Sequence, residues 1–278
     1  MENGMKLNFD KIQATGNDFI VVAKEDVPET VDLALVARKL CRRHFGIGSD
    51  GLLVLGPSDK ADVKMEMFNP DGTVATCGNG LRCAAIFAQD RGIVKSNEFT
   101  LETMGRITPV KRKDGYFAVN MGEPILEARD IPVAGHTGKI INHPFNFGEM
   151  EFNVTCVSFG NPHAVIFVDD LDYYDIEQIG PLVENSRHYF PERTNVMLVQ
   201  VNSPEEIEIK IWERGAGATL SCGTGALASV VAGVLNGLTE RKVRVDVPGG
   251  VLHIEYPEKG GCIMSGPAER VFQGWVEV

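Results

Sequence analysis

Short apolar runs alternate with polar residues along most of the chain, and this pattern predicts a structure built largely from β-strands. The runs are rich in Val, Ile and Leu, which fit a pleated and half-buried surface. The clearest of them are FIVVAKE (19–25), GLLVL (51–55), AVIFV (164–168), NVMLVQV (195–201), EIEIKIW (206–212), KVRVDV (242–247) and GVLHIEY (250–256). Helices are therefore expected to be few.

Three segments have helical rather than strand patterns. One is VDLALVARKLCRRH (31–44), which we expect to end at Gly46, and the other two begin just after Cys77 and Cys222. The segment GALASVVAGVL (225–235) is apolar nearly all round, which predicts a helix buried inside its domain. Its counterpart LRCAAIFA (81–88) is similar except for Arg82.

The ends of the two cysteine-linked helices can also be predicted. Asn79 and Thr224 are residues that often cap a helix at its N-terminus. Gly92 and Gly237 fit the position just after a helix, where the backbone turns left-handed. The interval from each cysteine to its closing glycine is the same in both copies.

This match is part of an internal repeat that covers most of the chain. Residues 67–92 resemble 211–237, TGNDFIVV (15–22) resembles FGNPHAVIFV (159–168), and VNMGEP (119–124) resembles IMSGPA (263–268). Two long copies indicate a duplicated domain rather than a solenoid. The predicted fold class is α+β, with two pseudo-symmetric domains, each a mostly antiparallel β-sheet or barrel around a central apolar helix.

Composition narrows the classes of function. The chain has 278 residues, of which 44% are hydrophobic, and its net charge is −11, which argues against nucleic-acid binding. No apolar run is long enough for a membrane span, and MENGMKLNFDK lacks the apolar core of a secretory signal. Six cysteines without a CxxC pair suggest reduced thiols in a cytoplasmic protein rather than a disulfide scaffold or a zinc site.

The repeated cysteine turn suggests acid–base chemistry. A thiol at a helix N-terminus loses its proton more readily, and the unpaired N–H groups there attract anions. Glycines at 78, 80, 223 and 225 let the backbone approach a ligand closely. Two such turns could invert a stereocentre, with a thiolate removing a proton from one face and a thiol returning one to the other. Nothing in the sequence suggests a pyridoxal lysine, a metal or any other cofactor.

Six motifs together resemble the diaminopimelate epimerase family over essentially the whole chain. They are ATGNDFIVV, HFGIGSDGLL, FNPDGTVATCGNG, GNPHAVIFV, ERTNVMLV and WERGAGATLSCGTGA. The resemblance implies a cofactor-independent epimerase with its site in the cleft between two domains. It assigns residues 1–122 and 268–278 to the first domain and 123–267 to the second, and it makes a homodimer plausible.

Carried over residue by residue, the resemblance makes Cys77 and Cys222 the two catalytic bases. It implies that the substrate is bound by Asn17, Asn69, Gly78, Asn79, Asn161, Asn195, Glu213, Arg214, Gly223 and Thr224. His163 is implied as a neighbour of the site rather than a base. A bidentate Arg214 suits the distal carboxylate of diaminopimelate. The loop between Asn69 and Cys77 is one residue shorter than is common in the family.

Three kinds of alternative stay open from the sequence. The first keeps the two-thiol mechanism but acts on another amino acid, such as histidine. The second is a cysteine-nucleophile hydrolase, which needs one cysteine with a nearby histidine and gives no reason for a second matched thiol. A non-catalytic amino-acid-binding protein or a thiol redox protein would also use parts of this pattern.

Overall fold

The computed structural model describes residues 6–278; residues 1–5, which include the predicted start of the first domain, lie outside the described residues. The chain forms two compact units, one of Met1–Val119 with Gly266–Val278 and the other of Asn120–Ser265. The domain boundaries predicted after residues 122 and 267 stay a prediction, and the two units divide a few residues earlier.

The elements of the first half alternate strands with two helices. In chain order they are β1 (Lys6–Ala14), β2 (Asn17–Ala23), α1 (Leu33–Leu40), β3 (Gly51–Gly56), β4 (Val63–Phe68), β5 (Val74–Ala75), α2 (Gly78–Asp90), β6 (Glu98–Thr103), β7 (Arg106–Lys113) and β8 (Tyr116–Gly122). β1 pairs antiparallel with β2, β2 runs parallel to β3, and β3 pairs antiparallel with β4. β4 then runs parallel to β6, and β6, β7 and β8 pair antiparallel in turn.

The second half repeats this order. Its elements are β9 (His143–Phe147), β10 (Met150–Ser158), β11 (Pro162–Phe167), α3 (Ile176–Glu184), β12 (Asn195–Ser203), β13 (Glu206–Glu213), β14 (Gly217–Ala218), α4 (Gly223–Leu235), β15 (Lys242–Val247), β16 (Gly250–Glu255), β17 (Cys262–Gly266) and β18 (Glu269–Glu277). β10 pairs antiparallel with β11, β11 runs parallel to β12, and β13 runs parallel to β15. β18 belongs to the first unit, where it pairs antiparallel with β1.

Each unit wraps its sheet around one long helix, as the apolar pattern predicts. α2 packs against β1, β2, β3 and β4, and α4 packs against β10, β11, β12 and β13. Most residues of both helices are buried. The duplicated α+β fold is therefore confirmed: the same strand order surrounds an equivalent helix in each unit. No helix among residues 6–278 is long and apolar enough to cross a membrane.

Helix α1 is shorter than the predicted 31–44. Asp32 caps its start, and the Asp32 carboxylate accepts hydrogen bonds from the backbone N–H groups of the first turn. At the other end, the Leu40 carbonyl accepts a bond from Gly48 at 2.9 Å. The chain therefore turns back over the helix end, and the following residues lead into β3.

The caps of α2 and α4 differ from the prediction at one end and agree at the other. Cys77 and Cys222 themselves are the N-caps, because their carbonyls accept the first helical hydrogen bonds, at 3.0 and 2.9 Å. Asn79 and Thr224 are therefore in the first turn rather than at the cap. Gly92 and Gly237 follow the helices with φ of +70° and +69°, which confirms their predicted position.

Candidate active site

In the first unit, Cys77 lies at the start of α2 beside the amide of Asn17. The Cys77 thiol donates to Asn17 Oδ1 at 3.4 Å, and Asn79 Nδ2 donates to the same oxygen at 3.4 Å. Asn17 Nδ2 in turn donates to a carboxylate oxygen of Asp50 at 2.6 Å. Because a carboxylate only accepts, Asp50 fixes which end of the Asn17 amide faces the thiol.

The second unit has the same arrangement with different side chains. Cys222 Sγ lies 3.5 Å from the Thr224 hydroxyl, and Asn161 Nδ2 donates to that hydroxyl at 3.2 Å. The His163 ring lies 3.2 Å, through Nε2, from Asn161 Oδ1. A connected set of polar groups thus runs from His163 through Asn161 and Thr224 to the thiol. Asn161 occupies the place that Asn17 has in the first unit.

Burial and neighbouring charges shift the pKa values of Cys222 and His163 in this second set. Burial raises the pKa of the Cys222 thiol well above its usual value, and the neighbouring carboxylate of Glu213 raises it further. Burial also lowers the pKa of His163 to about 3, and the charge of Arg214 adds to that effect. His163 is therefore neutral near pH 7, so Nε2 can carry the proton that is donated to Asn161.

Three other predicted residues lie together in the second unit. Glu213 accepts a bond from the Thr219 hydroxyl at 2.7 Å. The Arg214 backbone donates to Asn195 Oδ1 at 2.8 Å, while its guanidinium donates to the Glu192 carbonyl at 2.8 Å. Arg214 also lines a cavity of about 330 Å³ within this unit. The charged head of Arg214 is thus held by a neutral oxygen beside open space.

Asn69 is placed differently from the other predicted residues. Its side-chain amide donates to the Thr73 hydroxyl at 3.0 Å, and its backbone N–H donates to the Thr73 carbonyl at 2.8 Å. The turn that contains it is exposed and lies between β4 and β5. The hydrogen bonds of Asn69 therefore stay inside its own loop, and the structure does not bring it into the set around Cys77.

Sequence reasoning missed two residues that support these sets. Asp50 lies in the quoted motif HFGIGSDGLL, where a carboxylate after a glycine-rich turn was the available signal. Glu184 is buried and accepts bonds from the indole of Trp212, the guanidinium of Arg193 and the backbone of Gly215. It holds the loop that follows Glu213 and Arg214, and no local pattern indicates this role.

Each unit therefore presents a thiol at a helix N-terminus, with glycine at the first helical position. Gly78 and Gly223 begin the helices, so backbone N–H groups at these ends are available to an anion. All six cysteines of the chain are free; five are buried and Cys77 is half-buried. Within residues 6–278, no group of three or more His, Cys, Asp or Glu side chains could hold a metal ion.

The fold is shared with solved structures of other proteins. A phenazine biosynthesis protein of the PhzF family from Bacillus anthracis superposes with a TM-score of 0.71, covering 98% of this chain and 99% of that chain at 15% identity. A hydroxyproline epimerase from Agrobacterium vitis, solved with bound trans-4-hydroxy-L-proline, also gives 0.71, covering 100% and 94% at 13% identity. The chain thus has the duplicated fold of this class of proteins.

Sequence comparison identifies the family within that class. The family model for diaminopimelate epimerase matches residues 9–127 and 155–271. A diaminopimelate epimerase from Pelotomaculum thermopropionicum is 49% identical over 96% of this chain and 98% of its own length. Another from Desulforudis audaxviator is 46% identical over 97% and 99%. The chain belongs to the diaminopimelate epimerase family.

Proposed function

We propose that this protein is a cofactor-independent isomerase that interconverts LL- and meso-2,6-diaminopimelate. Membership of the family supports the substrate, because relatives that carry this name match nearly the whole chain. The observation that carries the mechanism is the matched cap: a cysteine occupies the N-cap of the buried helix in each unit. A single-thiol chemistry gives no reason for the second copy.

The proposed reaction uses one cysteine on each face of the substrate's α-carbon. The thiolate takes the α-proton and becomes a thiol, and the electron pair left on carbon delocalises into the carboxylate. The opposite thiol then gives its proton to the other face and becomes a thiolate, so atoms and charge balance. Cys77 and Cys222 exchange these roles when the direction reverses.

The helix ends would stabilise the developing charge. Backbone N–H groups of Gly78 and Asn79, and of Gly223 and Thr224, would donate to the reacting carboxylate. Donors preorganised toward developing charge contribute on the order of several kcal/mol when water is excluded. Asn17 and Asn161, which hydrogen-bond to the first turns of these helices, would help to position the substrate beside the thiols.

The distal amino-acid end of the substrate would be held by the remaining residues. Arg214 would bind the second carboxylate, Glu213 the ammonium group, and Asn195, with Asn69, would complete the polar contacts. Asn195 Oδ1 already fixes the backbone N–H of Arg214 at 2.8 Å. We also propose a cytoplasmic location, a role in lysine and peptidoglycan-precursor synthesis, and assembly as a homodimer.

Incubation with LL-diaminopimelate in deuterated water tests the function and the mechanism together. We expect the meso isomer to form with deuterium at one α-carbon. Replacing Cys77 or Cys222 by Ala should abolish inversion, and Cys83→Ala serves as a control because Cys83 is a fully buried thiol on the same helix as Cys77. Epimerisation retained in either active-site variant would contradict the two-base assignment.

The same assay separates the rival functions. If diaminopimelate isomers were inert while a monocarboxylic amino acid such as histidine racemised, the substrate assignment would be wrong. If an acyl group were trapped on one cysteine and the other could be replaced freely, a cysteine-nucleophile hydrolase would be the better description.

A further inference from the structure

Glu184 is a buried carboxylate at the C-terminal end of α3, and its two oxygens accept three hydrogen bonds. Oε2 accepts from the indole of Trp212 at 2.7 Å. Oε1 accepts from the guanidinium of Arg193 at 2.8 Å and from the backbone N–H of Gly215 at 3.0 Å. Only 6% of the Glu184 side chain is exposed, so these bonds lie in surroundings of low polarity, where a hydrogen bond is stronger than in water.

Two of these bonds hold the ends of the short segment 212–215. The middle residues of that segment are Glu213 and Arg214, which would bind the distal end of the substrate. The indole of Trp212 also lies against Gly180, one turn earlier on α3, where a Cβ would clash with the ring. Helix α3 therefore fixes both ends of the segment that carries Arg214.

The third bond holds the turn that supplies the acceptors of Arg214. The guanidinium of Arg214 donates to the Glu192 carbonyl, and its backbone N–H donates to Asn195 Oδ1, both at 2.8 Å. Arg193 lies between these acceptors with a left-handed φ of 62°, a conformation that persists in a non-glycine residue when its surroundings fix it. The carboxylate of Glu184 is thus bonded both to the segment of Arg214 and to the turn that binds Arg214.

The charges in this region leave the guanidinium of Arg214 available to an anion. Arg193 compensates the charge of Glu184 at 2.8 Å, and Arg129 pairs with Asp130 at 3.4 Å beside the cavity. The ion pairs within residues 6–278 do not include Arg214, whose guanidinium donates to a neutral carbonyl. Arg214 therefore presents a positioned cation to the cavity that it lines.

We propose that Glu184 is a positioning residue that preorganises Arg214 for the distal carboxylate of the ligand. It thereby sets the preference for a ligand with a second carboxylate over one with an apolar end. This inference rests on the proposed function, which assigns Arg214 to that carboxylate. Glu184 does not itself touch the ligand. It acts by ordering Arg214 when the chain folds, so that this ordering does not weaken binding.

A matched pair of ligands tests this role without any turnover. 2-Aminoheptanedioate and 2-aminoheptanoate have the same chain length, and they differ in a distal carboxylate against a methyl group. Both are used as racemates, so that turnover would leave their composition unchanged. Isothermal titration calorimetry of the parent protein should show tighter binding of the dioate. A parent protein that binds the two ligands equally, or binds neither, would overturn the proposal.

Glu184→Gln should weaken binding of the dioate about tenfold, as expected when one charge-assisted hydrogen bond is misplaced. Glutamine keeps the volume of the side chain but has a single acceptor oxygen. It cannot accept both from Trp212 and from the pair formed by Arg193 and Gly215. Binding of 2-aminoheptanoate should stay unchanged. Equal weakening of both ligands, or an unchanged ratio of their dissociation constants, would reject the positioning role.

Glu177→Gln is the matched control. Glu177 is an exposed carboxylate in the first turn of the same helix, and its replacement should leave both dissociation constants unchanged. A loss of discrimination in this variant as large as in Glu184→Gln would show that any change of charge on α3 has the same effect, and the proposal would fail.

Arg193→Met decides the matter if Glu184→Gln fails to fold. The Arg193 side chain is 37% exposed, so its removal disturbs the core less. The variant loses the bond between Glu184 and the turn, and it leaves the carboxylate without its counter-ion. Binding of the dioate should weaken about threefold, the size expected for a partly exposed ion pair, while 2-aminoheptanoate binds as before. An unchanged ratio in this variant would overturn the proposal.

Kinetics with LL-diaminopimelate separate this inference from the proposed function. If the protein epimerises it, Glu184→Gln should raise KM about tenfold and change kcat much less, because distal contacts are made equally in the ground state and the transition state. Epimerisation with KM unchanged in Glu184→Gln and Arg193→Met would reject the inference and leave the proposed function standing. Absence of epimerisation, with ligand discrimination that depends on Glu184, would reject the proposed reaction and leave the positioning role standing.

Discussion

The carboxylate of Asp50 lies 2.6 Å from Asn17 Nδ2 and thereby turns Asn17 Oδ1 toward the thiol of Cys77. Asn17 could present either end of its amide, and the two ends act oppositely on a thiol, one accepting and one donating. Asp50 removes that freedom. Asp50, in the glycine-rich connection before β3, thus ensures that the Cys77 thiol at the start of α2 meets a hydrogen-bond acceptor.

Asp50→Ala should reduce kcat/KM about tenfold or more, because a hydrogen bond to a charged group contributes about 1.5–3 kcal/mol and its loss frees the Asn17 amide to rotate. Asp62→Asn is the control, since Asp62 also accepts bonds from a backbone N–H and a hydroxyl, but at Thr100. Steady-state kinetics at several pH values measure both. If kcat/KM were unchanged in Asp50→Ala, Asp50 would have no part in positioning the Asn17 amide for catalysis.

Glu184→Ala should lower the free energy of unfolding by about 2–3 kcal/mol. The carboxylate is buried and accepts three hydrogen bonds, from Trp212 at 2.7 Å, Arg193 at 2.8 Å and Gly215 at 3.0 Å. Its removal leaves these donors without their acceptor, although the partly exposed Arg193 can turn to water, which limits the loss. Urea denaturation followed by tryptophan fluorescence gives the value.

The matched control for that experiment is Glu208→Ala, an exposed carboxylate on β13. Its stability should stay within about 0.5 kcal/mol of the parent. Equal losses in the two variants would show that the buried hydrogen bonds of Glu184 contribute nothing specific.

Stability should also depend on pH through His163. Its folded pKa is lowered to about 3 by burial, whereas an unfolded histidine titrates near 6.5. Between these values the unfolded state binds a proton that the folded state does not, so stability is full above about pH 6.5 and falls as the pH decreases. His163→Gln, which keeps an N–H donor for Asn161, should flatten the dependence between pH 6.5 and 4.5 in urea denaturation.

An NMR titration gives an independent check on that prediction. The His163 ring signals should not move between pH 8 and 5, because the folded pKa of His163 lies near 3. A His163 midpoint near 6.5 in the folded protein would contradict the role given to its burial.

Gly92→Ala and Gly237→Ala should each cost about 1 kcal/mol. Both positions have positive φ, and a Cβ there would meet no atom within 4 Å, so the cost is backbone strain rather than a clash. Asn tolerates this conformation better, so Gly92→Asn and Gly237→Asn should cost less. Alanine variants as stable as the parent, measured by thermal unfolding, would show that the strain is absorbed elsewhere.

The sequence could predict most of the local structure because that structure follows from local rules. Alternating apolar runs became strands, and an all-round apolar segment became the buried helix α4, since burial requires that pattern. Gly92 and Gly237 ended their helices because glycine adopts positive φ at little cost. The N-caps were predicted two residues late, because side-chain preference pointed to Asn79 and Thr224, whereas backbone hydrogen bonding begins at the cysteines.

The sequence likewise predicted only part of the candidate site. The matched spacing in the repeat singled out both cysteines, and the family motifs pointed to Asn17 and Asn161, which do hydrogen-bond to the first turns of the cysteine helices. No spacing could show that Asn69 bonds to Thr73 or that Glu184 lies under the Arg214 loop, because those contacts depend on how distant segments pack. The roles of the predicted residues in catalysis stay a prediction.

By itself, the sequence determined that this chain has two copies of one α+β unit, each with a thiol at the start of an apolar helix, because periodicity and repeat spacing are written along the chain. The tertiary structure decided the surroundings of those thiols. Cys77 is half-buried and donates to the Asn17 amide, whereas Cys222 is buried and the carboxylate of Glu213 raises its pKa. Charge and burial depend on neighbours in space, so two nearly identical sequence motifs acquire different surroundings only when the chain folds.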